Sequence, residues 1–207
     1  MAGDAEETTR VATPKATTRL WEDSSLNVAA AGTTSTPMTP ASSMTVQPSS
    51  ADELLSRLGD SGLTLATAES LTGGLLSSAI VDIPGASRVF RGGVVSYVTD
   101  VKHLVLGVDQ QLLDRGGPVQ AEVATQMALG VARLVQASLG LATTGVAGPG
   151  DSEDGPQGLV YVAAVLCRKG EPPRKLVMEH RFNGSRSEIR AQTVKAALSI
   201  GLKLLKE

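Results

Sequence analysis

A serine hydroxyl is a weak nucleophile until a base takes its proton, and this 207-residue chain has few bases to offer. Its two histidines, His103 and His180, stand isolated, and Cys167 is its one cysteine. Lysine is then the best available base, provided that burial or a neighbouring cation lowers its pKa. Three segments assemble the relevant groups. In Ala68-Glu69-Ser70-Leu71-Thr72-Gly73-Gly74, strand-like residues run into two hydroxyls and two glycines, and an apolar helix follows. Ser70 therefore stands where a nucleophile is useful, and the N–H groups of Thr72, Gly73 and Gly74 where an oxyanion would form. The plainer account is that Ser70 or Thr72 simply caps the helix. In Tyr97-Val98-Thr99-Asp100-Val101-Lys102, Tyr97 ends a strand and Lys102 opens the next helix. Thr143-Thr144-Gly145-Val146-Ala147-Gly148-Pro149-Gly150 brings hydroxyls and free N–H groups to a third strand end, with Thr144, Gly145 and Gly148 the candidate contacts. A fourth segment, Phe182-Asn183-Gly184-Ser185-Arg186, adds a helix start and an arginine suited to phosphate or carboxylate.

Other chemistries fail on spacing or supply. Neither G-x-G-x-x-G nor Gly-Lys-Ser/Thr occurs, so Rossmann and P-loop fingerprints are missing. Tyr97 and Lys102 are five apart, not the four of a Tyr-x-x-x-Lys pair. Asp151, Glu153 and Asp154 miss the calcium-loop pattern and read as a solvated loop. One cysteine excludes an internal disulfide and a cysteine-rich zinc site. Neither a metal nor a cofactor is expected. A net charge of -2 and 2% aromatic residues argue against a nucleic-acid partner. The excess of basic residues after Leu166 favours an anionic small molecule.

These turns need a framework to hold them. Leu63–Ala68, Gly93–Val98 and Leu141–Gly145 read as strands, and Leu159–Leu166 and Lys175–Phe182 as an antiparallel pair. Leu75 to Ile80, residues near 100–106 and 110–115, Val123 to Val135, and a C-terminal segment from Ser185 read as helices. Ser50 with Glu53 and Ser185 with Glu188 have capping-box spacing. Strands alternating with helices and ending in a hairpin imply an α/β fold: a three-layer α/β/α sandwich on a mixed, mostly parallel sheet including one antiparallel strand. This domain is expected over 51–207. Residues 1–50 are rich in Ser, Thr and Pro, lack charge from Ser24 through Ser50, and read as a disordered tail without signal-peptide or presequence character. No apolar run reaches membrane-spanning length, so a membrane partner is not expected.

Read together, TAESLTGG (67–74), VDIPGAS (81–87), RGGVVSYVTDVKHLVLGV (91–108), GGPV (116–119), TTGVAGPG (143–150), PQGLVYVA (156–163) and FNGSR (182–186) resemble the CinA C-terminal domain family. The resemblance spans essentially all of 51–207. It implies an amidohydrolase that deamidates nicotinamide mononucleotide, a pyridine nucleotide, to nicotinate mononucleotide and ammonia. By position, it makes Ser70 the nucleophile, Lys102 its base and Tyr97 an aid to proton transfer or to the lysine's orientation. It further implies a homo-oligomer, and cytoplasm is the default location. The chain departs from the family pattern at Leu71, at Val98-Thr99 and in the acidic loop GPGDSEDGPQG; the last two border the expected pocket. The rival expectation is a non-catalytic nucleotide-binding or protein-interaction module of the same fold.

Overall fold

The computed structural model describes residues 49–206, so the expected tail, apart from its last two positions, lies outside the described residues. Five strands form one sheet: β1 (Leu65–Glu69), β2 (Phe90–Val95), β3 (Leu139–Gly145), β4 (Leu159–Leu166) and β5 (Arg174–Arg181). Their order is β2-β1-β3-β4-β5. β1 pairs in parallel with β2 and β3, whereas β4 is antiparallel to both its neighbours. β4 is thus the one reversed strand, and the three-layer α/β/α architecture is the one that the element pattern implies.

The strands alternate side chains between two unlike faces. Leu65, Leu139, Leu141, Val160 and Val162 point to one face, where α1 (Ser50–Asp60), α2 (Leu75–Val81) and α6 (Arg186–Lys206) cover them. Ala66, Ala68, Ala142 and Ala163 point to the other, under α3 (Thr99–Leu106), α4 (Gln110–Gly116) and α5 (Ala121–Leu134). The small-residue face lets α5 lie close to the sheet. A Cβ on Gly140 would come within 1.9 Å of the Ala128 carbonyl oxygen, and one on Gly130 within 1.9 Å of that of Leu106. Among the described residues, no helix is long and apolar enough to cross a membrane.

Two local expectations are corrected. β2 spans Phe90–Val95 rather than 93–98, because it is an edge strand whose register ends where β1 ends, at Glu69 opposite Val95. Tyr97 and Val98 lie beyond it, and their apolar character is surface: both are more than half exposed. The first capping box is Ser49 with Asp52, not Ser50 with Glu53. Both pairs have the required spacing, and Glu53 instead meets Arg57 one turn on, at 2.8 Å. The second box stands as spaced: Glu188 accepts from the Ser185 amide at 2.8 Å and from its hydroxyl at 2.7 Å.

Close packing on one face makes opposite outcomes testable with the same side chain. Gly140→Ala is expected to lower unfolding free energy by about 1–3 kcal/mol through overpacking. Gly59→Ala in α1, whose new Cβ meets nothing nearer than 3.7 Å, is expected to raise it by up to about 1 kcal/mol. Urea unfolding of the two variants beside the parent measures both.

Candidate active site

The strands β1, β2 and β3, which pair in parallel, finish at one edge. Glu69 is opposite Val95 of β2 and Thr143 of β3. One further rung on each side extends the ladder: Ser70 N–H donates to the Thr143 carbonyl at 3.0 Å, and Ser96 N–H to that of Glu69 at 2.8 Å. Main-chain bonds therefore fix Ser70 and Ser96 side by side. β1 lies between the strand that follows it and the strand after that, which is the reversal point where open α/β sheets collect ligands.

Glu69 organises the turn that follows Ser70. As the last residue of β1 it shares the α2 face with Leu65 and Thr67, and it is fully buried. Its carboxylate accepts from the N–H groups of Gly74 (2.9 Å), Leu76 (3.0 Å) and Ser77 (2.8 Å), and from the Ser77 hydroxyl (2.6 Å). A carboxylate out of water is tolerable when its lone pairs are filled in this way. Gly73 and Gly74 follow at φ of +57° and +98°, left-handed values that favour glycine. The Gly73 N–H returns to the Ser70 carbonyl at 3.1 Å. Gly73 and Gly74 therefore do not offer their amides to an oxyanion, a correction to the sequence expectation. From the other side, Arg190 of α6 donates to the carbonyls of Leu71 (2.9 Å) and Thr72 (2.7 Å). The Thr72 hydroxyl bonds that of Thr143 at 2.7 Å.

Lys102, one turn into α3, is 1% exposed. Its Nζ donates to Ser70 Oγ at 3.1 Å and to the Ser96 carbonyl at 2.7 Å. Burial pulls the Lys102 ammonium down to about 8, and the Asp154 carboxylate opposes that shift. A hydroxyl and an amine from separate crossover turns thus meet directly.

Both face a cleft of about 130 Å³, lined also by Tyr97, Thr144, Gly145, Asp154 and Arg186. Among the described residues no hydrogen bond joins Tyr97 to Lys102; the Tyr97 hydroxyl accepts from Arg186 at 2.7 Å, and Arg186 also donates to the Gly148 carbonyl at 2.6 Å. Thr144 Oγ1 donates to the Pro118 carbonyl at 2.8 Å. A second groove of about 230 Å³ continues outward, sharing Gly145, Asp154 and Arg186 and adding Gly148. Thr72, Gly73 and Gly74 do not line the cleft. Sequence reasoning missed three residues. Glu69 carried a signal, an acid at an inward position of a buried strand. Arg190 directly follows the inward Ile189, and Asp154 had been read only as part of a solvated acidic cluster.

Fold and site together describe a doubly wound α/β domain that seats a serine and a buried lysine in one cleft at the carboxyl ends of its parallel strands. Residues 47–205 match the model of the CinA C-terminal domain family. A putative competence-damage inducible protein of Desulforamulus reducens is 49% identical over 141 residues, 68% of this chain and 33% of that protein. Its counterpart in Bacillus subtilis is 43% identical over 148 residues, 72% of this chain and 34% of that protein. The chain thus spans about a third of the length of these curated relatives. Among solved structures, the competence/damage inducible protein CihA from Agrobacterium tumefaciens is 38% identical with a TM-score of 0.68, over 79% of this chain and all of that one. A CinA superfamily protein from Escherichia coli is 34% identical with a TM-score of 0.67, over 75% and 88%. The chain belongs to the CinA C-terminal domain family.

The four bonds to Glu69 predict a large cost for a small change. Glu69→Gln replaces one acceptor oxygen by a donor amide facing donors, and is expected to lower unfolding free energy by about 2–4 kcal/mol. Denaturant unfolding measures it, with Ser77→Ala losing roughly 1 kcal/mol for comparison.

Proposed function

We propose that this domain hydrolyses a carboxamide, with nicotinamide mononucleotide as substrate, Ser70 as nucleophile and Lys102 as general base. The observation that carries the proposal is the 3.1 Å contact between Lys102 Nζ and Ser70 Oγ, made by an amine that burial brings to about 8. A lysine at its ordinary value would stay protonated near neutrality. At pH 7 about a tenth of this one is the neutral amine that a base must be.

Ser70 Oγ bonds to the amide carbon as its proton passes to Lys102 Nζ, and the carbonyl π electrons move onto oxygen. The oxyanion then collapses, the C–N bond breaks, and Lys102 returns the proton to nitrogen, releasing ammonia. Water adds to the acyl-serine, again losing a proton to Lys102, and the carboxylic acid leaves with Ser70 restored. The choice of substrate rests on the family resemblance and on the rim, where Arg186 suits the phosphate of a mononucleotide. The same resemblance supports a homo-oligomer, and cytoplasm stays the default location.

The direction of the pH dependence follows from a lowered lysine. The neutral amine gains population as pH rises, so kcat/KM is expected to climb about tenfold per pH unit up to roughly 8 and then level off. Ser70→Ala and Lys102→Met are each expected to cut ammonia release from nicotinamide mononucleotide by about 10³-fold or more, with the fold retained. Turnover that survives both substitutions overturns the mechanism. Binding of the nucleotide without turnover in the parent favours the non-catalytic module.

A further inference from the structure

The N–H groups from Ser70 to Ser77 can be accounted for one by one. Ser70 donates to Thr143, Gly73 to Ser70 and Leu75 to Thr72, all through carbonyls. Gly74, Leu76 and Ser77 donate to Glu69. Two remain, Leu71 and Thr72, which have no acceptor among the described residues although the residues are 4% and 0% exposed. A buried amide without an acceptor is rare in folded proteins. Here two occur in succession, directly after the serine that lines the cleft, and Leu71 lines that cleft as well.

We infer that the Leu71 amide receives the oxyanion, and that Arg190, which holds the Leu71 and Thr72 carbonyls, is the positioning residue that fixes the turn presenting it. In a trans peptide the carbonyl and the following N–H point opposite ways. The Leu71 carbonyl is drawn to Arg190 Nε, so the Thr72 N–H points away from α6. The Ser70 carbonyl is held by Gly73, so the Leu71 N–H points out of the turn. Arg190 Nη2 fixes the next carbonyl, that of Thr72, and keeps the turn from rotating as a unit. Among the described residues the Arg190 guanidinium makes no salt bridge; its described bonds both go to this turn. A cation on the Thr72 carbonyl also polarises its peptide and strengthens the Gly73 N–H, which holds the Ser70 carbonyl and with it the direction of the Leu71 N–H.

This inference rests on Ser70 being the nucleophile, and the experiment separates the two. Purified parent, Ser70→Ala, Arg190→Lys, Arg190→Met and Arg190→Ala are treated with an alkyl fluorophosphonate, and phosphonylation is timed by intact mass. Its P=O oxygen occupies an oxyanion site when serine attacks phosphorus and fluoride leaves. Ammonia release from nicotinamide mononucleotide is followed in parallel, with thermal midpoints as the folding check. Arg190→Met is expected to label, and to turn over, about 10²-fold more slowly than the parent, with KM changed by less than about threefold. Millimolar guanidinium is expected to restore part of the rate to Arg190→Ala. Where Arg190→Met fails to fold, Arg190→Lys carries the test, since it keeps the charge and loses the fork that spans two carbonyls. Parent-like labelling and kcat in a folded Arg190 variant, or a raised KM with unchanged kcat, overturns the role of Arg190 alone. A parent that is not labelled at Ser70, together with a Ser70→Ala variant that still turns over, overturns the nucleophile and this inference with it.

Discussion

An amine buried beneath a cleft, with no carboxylate bonded to it, is the constraint around which this domain is arranged. Removing an ammonium from water is costly, and the protein meets the cost by lowering its proton affinity rather than by pairing it. Lys102 has the Ser96 carbonyl and the Ser70 hydroxyl as acceptors, both supplied by the ends of neighbouring strands. Their places depend on the register. Ser96 is held by its bond to the Glu69 carbonyl, and Ser70 by its bond to Thr143. A slip of one residue in either pairing would turn one of these groups to the opposite face and leave the amine with half its partners. The edge strand β2 thus matters less for its own burial than for where it ends.

The same strand edge solves a second problem. α2 has seven residues, has no side-chain bond from its own N-cap, and begins at a left-handed glycine. So short a helix is marginal by itself. Its cap comes instead from the strand, through Glu69, while Arg190 reaches the turn from α6. The acid takes N–H groups and the arginine takes carbonyls, so two opposite charges act on one stretch of backbone without an ion pair between them. Each meets the pole of the peptide dipole that suits it. The turn after Ser70 is therefore held by long-range partners, which is the support a reactive side chain needs if it is to keep its geometry.

That arrangement explains which parts of the molecule could be read from the residues alone. The apolar runs LTLATA and Leu159–Leu166, with the three- and four-residue spacing of α5, record burial directly and delivered the layers and the lone reversed strand. Ser70 and Lys102 were legible as residue types at two strand ends, although only the folded sheet makes them neighbours across 32 positions of sequence. The edge strand β2 was placed three residues late because its exposed Val95, with Tyr97 and Val98 just beyond its end, mimics a buried run. Glu69 and Arg190 were passed over for a different reason. Their partners are backbone atoms, and a backbone N–H or carbonyl carries no side-chain signature. Capping-box spacing had the same weakness at α1, where two serines and two acids fit equally well.

The cleft also sets the two opposing influences on Lys102 against each other. Burial alone would drive the amine further from its charged form, and Asp154, on the acidic loop at the mouth, draws it back. A lysine far below neutrality would be mostly unprotonated but too weak a base to draw a proton from a hydroxyl. One left at its ordinary value would hold its proton and never begin. In the proposed mechanism, a value near 8 lets it accept the serine proton and return it to a departing amine within one cycle, because driving force and available fraction are then balanced at working pH. With Arg186 on the same rim, the carboxylate also gives the cleft mouth both signs of charge, which suits the cationic ring and anionic phosphate of the proposed substrate. The acidic loop, one of the departures from the family pattern, is therefore where charge bears on both the proposed base and the proposed ligand.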